Sequence, residues 1–98
     1  MNKISITIPA NTEIVRSVFE RNRISAVIFN VGQEAKSVEH YKRMSSEMGM
    51  DPDRLKVHIE KKKRFLQTEL DGIRELVGIY HELWMDKYVH LTNKVKAL

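Results

Sequence analysis

From Ile59 onward the apolar residues fall on a four-three repeat: Ile59, Leu66, Leu70, Ile73, Val77, Tyr80, Trp84 and Leu91. That spacing keeps one stripe of an α-helix apolar through about a third of the chain. Leu76, Leu83 and Tyr88 widen the stripe. A seam of this length has to be covered, either by the first half of the chain or by another subunit. The repeat holds its phase through Gly72 and Gly78, which predicts one long helix running from Asp51 to the end. A break at Asp71-Gly72 into two helices packed as a hairpin is the alternative. Lys63, Lys87 and Lys94 at seam positions predict incomplete cover at its ends.

The seam is preceded by the clearest boundary in the sequence, Gly49-Met50-Asp51-Pro52-Asp53. Gly suits a helix C-terminus, Asp an N-cap and Pro the first helical position. The chain is therefore read as two parts, residues 1–48 and a helical oligomerisation or partner-docking extension over 51–98.

The first part opens on Lys3-Ile4-Ser5-Ile6-Thr7-Ile8, closed by Pro9. Strict alternation predicts a β-strand with Ile4, Ile6 and Ile8 on one face and Lys3, Ser5 and Thr7 on the other. A lone strand cannot satisfy its own backbone groups. No second strand of similar quality is visible, so the expected partner is the same strand of a second copy. Asn11 or Thr12 then caps a helix from Glu13 to about Arg21, with Ile14, Val15, Val18 and Phe19 on one face. Asn22-Arg23 reads as a turn, and Ser25 as the cap of a second helix from Ala26 to about Ser45. Its first turns, with Val27, Ile28, Phe29 and Val31, are apolar nearly all round and predict burial on several sides. Gly32 either costs that helix about 1 kcal/mol relative to Ala or permits a close helix approach. The expected fold is mainly α: one short N-terminal β-strand forming an intersubunit ribbon, two helices, and a long C-terminal helix.

A chain of 98 residues buries only a modest core alone. A homo-oligomer, at least a dimer, is therefore expected. Its interface would take Ile4, Ile6 and Ile8 from the ribbon, Val27, Ile28 and Val31 from the second helix, and Leu70, Ile73, Val77, Tyr80 and Trp84 from the seam. The net charge of +4 favours an anionic partner mildly. The absence of cysteine removes disulfides, thiol nucleophiles and Cys-based zinc sites. No apolar run approaches the ~20 residues that span a bilayer, and a cytoplasmic protein is expected. His40, His58, His81 and His90 never take the i, i+4 spacing of a helical metal pair, and no Gly-rich phosphate loop is present. The expectation is no enzyme: no catalytic residue, metal or cofactor.

Over about residues 2–35 the order of alternating strand, Pro, short helix, turn and second helix resembles the ribbon-helix-helix (Arc/MetJ-type) DNA-binding family. The turn lacks the family's usual Gly, and the strand carries no Arg. The resemblance implies a two-stranded ribbon in the DNA major groove, with Lys3, Ser5 and Thr7 reading bases. It also implies that Ser25, at a helix start, presents free N–H groups to a phosphate.

Lys61-Lys62-Lys63-Arg64, with Lys56 and His58 upstream, is the densest positive cluster. Four consecutive helical residues point around most of the circumference, so this is not one flat stripe. It reads either as a solvated surface or as a phosphate-contacting segment blind to base sequence. The stretch from Gly49 to Leu83 is also similar to small bacterial nucleoid-associated helical proteins. Tyr80, Trp84 and Tyr88 at i, i+4, i+8 read as packing residues, with base stacking as the alternative. A repressor or a plasmid or phage accessory factor is the function expected. A small interaction factor or inhibitor, docking a protein partner through the C-terminal helix, is the other reading.

Overall fold

The structure, a computed structural model, describes the backbone from Lys3 to Leu98 and the side chains from Glu13 onward. It consists of α1 (Lys3–Glu47), α2 (Pro52–Asp71), α3 (Arg74–Ile79) and α4 (His81–Lys96). Among the described residues there is no β-strand. The longest dimension is 66 Å, close to the ~67 Å of a 45-residue helix. One helix sets the length of the molecule.

The expected N-terminal strand is corrected: the backbone of residues 3–8 belongs to α1. A helix closes hydrogen bonds within its own segment, whereas a lone strand leaves every N–H and C=O seeking a partner. Pro9 follows this stretch inside α1 and withholds one donor from the helix. The turn expected at Asn22-Arg23 is corrected as well, because α1 runs straight through it. Neither residue breaks a helix: Arg is among the better helix formers, and Asn gives up only about 0.7 kcal/mol relative to Ala. Continuity is rewarded by Ile24, which is 0% exposed and shares a packed face with Val31, Ala35 and Val38. The four-three spacing of Ile24, Ile28, Val31, Ala35 and Val38 keeps that face on one side of α1. A Cβ built at Gly32 meets nothing within 4 Å, so no close helix approach depends on that glycine.

The boundary at Gly49 is formed by backbone geometry. Gly49 has φ +78°, a left-handed conformation open chiefly to glycine. Its N–H donates to the Ser46 carbonyl at 3.1 Å, and the Met50 N–H donates to the Ser45 carbonyl at 2.9 Å. That pair of bonds is the Schellman closure of a helix end. Asp51 precedes Pro52 at the start of α2, and its carbonyl accepts the Leu55 N–H at 3.0 Å. Its side chain makes no capping hydrogen bond.

The long C-terminal helix is also corrected. It is interrupted at Gly72-Ile73 and again at Tyr80, whose φ −103° and ψ 40° lie off the helical values. A straight helix could pair with α1 only as a two-helix hairpin, which covers one side of each apolar face. Broken, it lets α4 return along α2 and lie against α1. Val31, Leu66, Leu70, Leu91 and Val95 then form one buried cluster drawn from three helices. Ile24, Ile73 and Val77 form a second, with Trp84 and Tyr80 against it. Val38, Leu55 and Ile59 form a third, nearer the Gly49 turn. The result is an up-down-up three-helix bundle built on the second half of α1.

Two tyrosines tie the corners. The Tyr80 hydroxyl donates to Glu20 Oε1 at 2.8 Å, joining the α3–α4 junction to α1. The Tyr88 hydroxyl donates to the Leu70 carbonyl at 3.0 Å, joining α4 to α2. Burial raises the Tyr88 pKa above its ordinary value, with Arg74 pulling it down and Asp71 pushing it up. The folded chain therefore keeps this proton to higher pH than the unfolded chain does. Stability from this group is complete below about pH 10 and is lost as pH rises toward the folded pKa. Denaturant melts at pH 8 and pH 11 should show a loss of stability at the higher pH that shrinks in Tyr88→Phe. An alkaline loss of equal size in the variant would show that Tyr88 is not its source.

Candidate nucleic-acid interface

Helix geometry sorts the basic cluster of α2. At about 100° per residue, Arg54, Lys61 and Arg64 fall within an arc of about 80° on the side opposite Leu55, Ile59, Leu66 and Leu70. All three are exposed. Lys56 is exposed toward one edge of this face, and Lys63 is half-buried there. Lys62 points to the other edge, toward α1, where its Nζ lies 3.9 Å from Glu34 Oε2. Among the described residues the other ion pair is Lys94–Glu39, at 3.6 Å between α4 and α1. Arg54, Lys56, Lys61 and Arg64 thus have no carboxylate partner among the described residues.

The charge balance of the chain concentrates on this helix. Residues 54–64 hold six of the 17 Lys and Arg but only one of the 13 Asp and Glu. The remaining eleven cations face twelve acids, a net of −1, so the whole positive excess of the protein sits on about three turns of α2. From Arg54 to Arg64 the face extends about 15 Å along the helix axis. Val57 lies on it, 60% exposed, and His58 at its edge packs on Tyr41 with ring centroids 4.7 Å apart.

The other expected site residues fall as follows. The side chains of Lys3, Ser5 and Thr7, and of Ile4, Ile6 and Ile8, lie outside the described residues. Their backbone is helical, so no ribbon presents them. Ser25 is exposed in the middle of α1, where no helix start offers free N–H groups. Val31, Leu70, Ile73 and Val77 are buried within a single chain. Val27, Ile28, Tyr80 and Trp84 pack against the same interior. The seam is covered by the chain's own first half. Trp84 also carries Lys87 Nζ 5.3 Å from its ring centroid, a cation–π contact that occupies the ring on that side.

Arg54 was missed in the sequence reading because six residues separate it from Lys61. Seven residues make about two helical turns, and that spacing was the available signal. Among the described residues no three His, Asp or Glu side chains gather as a metal site, and no helix is long and apolar enough to cross a membrane. No protein-family model, curated protein or solved structure matches this chain.

Proposed function

We propose that this protein is a non-enzymatic DNA-binding protein that grips the phosphate backbone with the outer face of α2, without selecting base sequence. The observation that carries this reading is the placement of the entire positive excess on residues 54–64, with Arg54, Lys56, Lys61 and Arg64 exposed and unpaired among the described residues. Lysine and arginine on a convex helix suit phosphates, which are spread evenly along a duplex. Base readout in the major groove needs side chains held against particular base edges, whereas the four cations of this face are spread over an arc of about 160°. On this reading affinity comes from phosphates, so it depends steeply on salt and little on base sequence.

The test is a fluorescence-anisotropy titration of two 24-base-pair duplexes of unrelated sequence. Equal affinities are expected for both. With about four phosphates engaged, affinity should fall roughly 10²-fold between 50 and 200 mM salt. A flat salt response would remove the phosphate grip. A preference of more than tenfold for one duplex would show base readout and overturn the sequence-blind reading.

A further inference from the structure

Residues 13–19 of α1 stand clear of the bundle. Above Glu20, the level at which Tyr80 meets the helix, Ile14, Val15, Val18 and Phe19 are 62%, 49%, 44% and 70% exposed. By helix geometry the four fall in one arc of about 140°. Arg16 and Arg23 border that arc on one side and Arg21 on the other. The bundle nucleates this helix, so its backbone is held; what remains is a contiguous apolar face standing in water, the mark of an interaction surface. This arm therefore needs a cover, and it cannot supply its own, because an unbroken helix cannot fold back onto the bundle it leaves.

We infer that the cover is a second copy of the chain, and that the two copies exchange arms. The opposite surface is present on the same molecule. At the α3–α4 corner, beside the root of the arm, Ile79 and Leu83 are 66% and 62% exposed. Around them stand Glu75, Glu82 and Asp86, all exposed. The arm is apolar with an arginine border; the corner's border carries Glu75, Glu82 and Asp86 against Arg74 and Lys87, so carboxylates outnumber cations there. The two match in polarity and in charge. Phe19 and Ile79 line one open groove at the arm's root, a seat for the incoming arm. A two-fold axis makes the contact twice, arm to corner and corner to arm, as closed symmetric dimers do. Doubling matters, since four side chains alone fall short of the ~800 Å² per partner of a standard interface. The inference stands apart from the DNA reading, because the arm and the outer face of α2 share no residue.

Sedimentation velocity of the full chain across a concentration series tests it. The native chain should sediment as a dimer. Reversing the arm border with Arg16→Glu and Arg21→Glu should raise the dimer dissociation constant at least tenfold. So should reversing the corner with Glu75→Arg and Glu82→Arg. All four changes in one chain should restore the dimer, because the two borders are then complementary again. Val18→Asp should give a monomer whose bundle melts as the native chain does, which separates lost association from lost folding. A native chain that stays monomeric at 100 μM would overturn the inference. A dimer that survives Val18→Asp, or no recovery in the fourfold variant, would place any association elsewhere.

Discussion

Shortening Ile24 to alanine is expected to cost the folded chain about 2–5 kcal/mol, the range for removing a buried aliphatic side chain and leaving a cavity. The side chain is 0% exposed and closes the cluster of Ile73 and Val77. Its loss would leave space between α1 and the α3–α4 junction, beside Ile73 and Val77 and the side chains packed on them, Val27, Ile28 and Trp84 among these. For a small domain whose total stability is about 5–15 kcal/mol, that is a large fraction. Phe29→Ala is the matched control. Phe29 is 63% exposed on the same helix five residues later, so its truncation should change stability by less than about 0.5 kcal/mol. Urea melts followed by the single tryptophan measure both, since Trp84 packs against the cluster that Ile24 completes. Were Asn22-Arg23 a turn, Ile24 would sit at a solvated corner and the two variants would behave alike. Equal midpoints would therefore return the helix break that the structure removes.

The same residue shows where reading the sequence stopped short. The four-three spacing of Ile24, Ile28, Val31, Ala35 and Val38 is present in the sequence, but Asn22 suits a turn just before it begins. Asn tolerates the left-handed conformation without requiring it, so the residue permits a turn and the packing decides. Gly49 differs in kind. Its positive φ is demanded locally, and a boundary of that sort can be read without knowing the tertiary fold. The seam from Ile59 to Leu91 lies between these cases. Periodicity correctly marks Leu66, Leu70, Ile73, Val77 and Leu91 for burial. It carries no information on what buries them, and a seam covered by α1 has the same period as one covered by a second subunit. Lys3–Ile8 failed for a related reason: Ile4 and Ile8, four apart, serve a helix as well as alternation serves a strand. The basic cluster was legible as composition. Its division into an outward face and the Lys62–Glu34 pair needed the direction in which α2 packs.

Neutralising the α2 face should have the largest effect on binding. With four cations engaged, log affinity should fall against log salt with a slope near −3.6; with Lys61→Gln and Arg64→Gln the slope should drop to about −1.8. Over a fourfold rise in salt, the roughly 10²-fold loss of the native chain becomes a loss of roughly tenfold in the variant. Both side chains are exposed and unpaired among the described residues, so the bundle should melt unchanged. Net charge alone could mimic part of this effect, because a protein two charges less positive attracts any polyanion less. Lys36→Gln with Arg43→Gln removes the same two charges from exposed positions on α1 and serves as the control. If the grip is local to α2, the control keeps the native slope while the α2 variant loses half of it. Equal slopes in the two variants would mean that the whole molecule, rather than one helix face, draws the nucleic acid, and the interface assigned to Arg54, Lys56, Lys61 and Arg64 would be withdrawn.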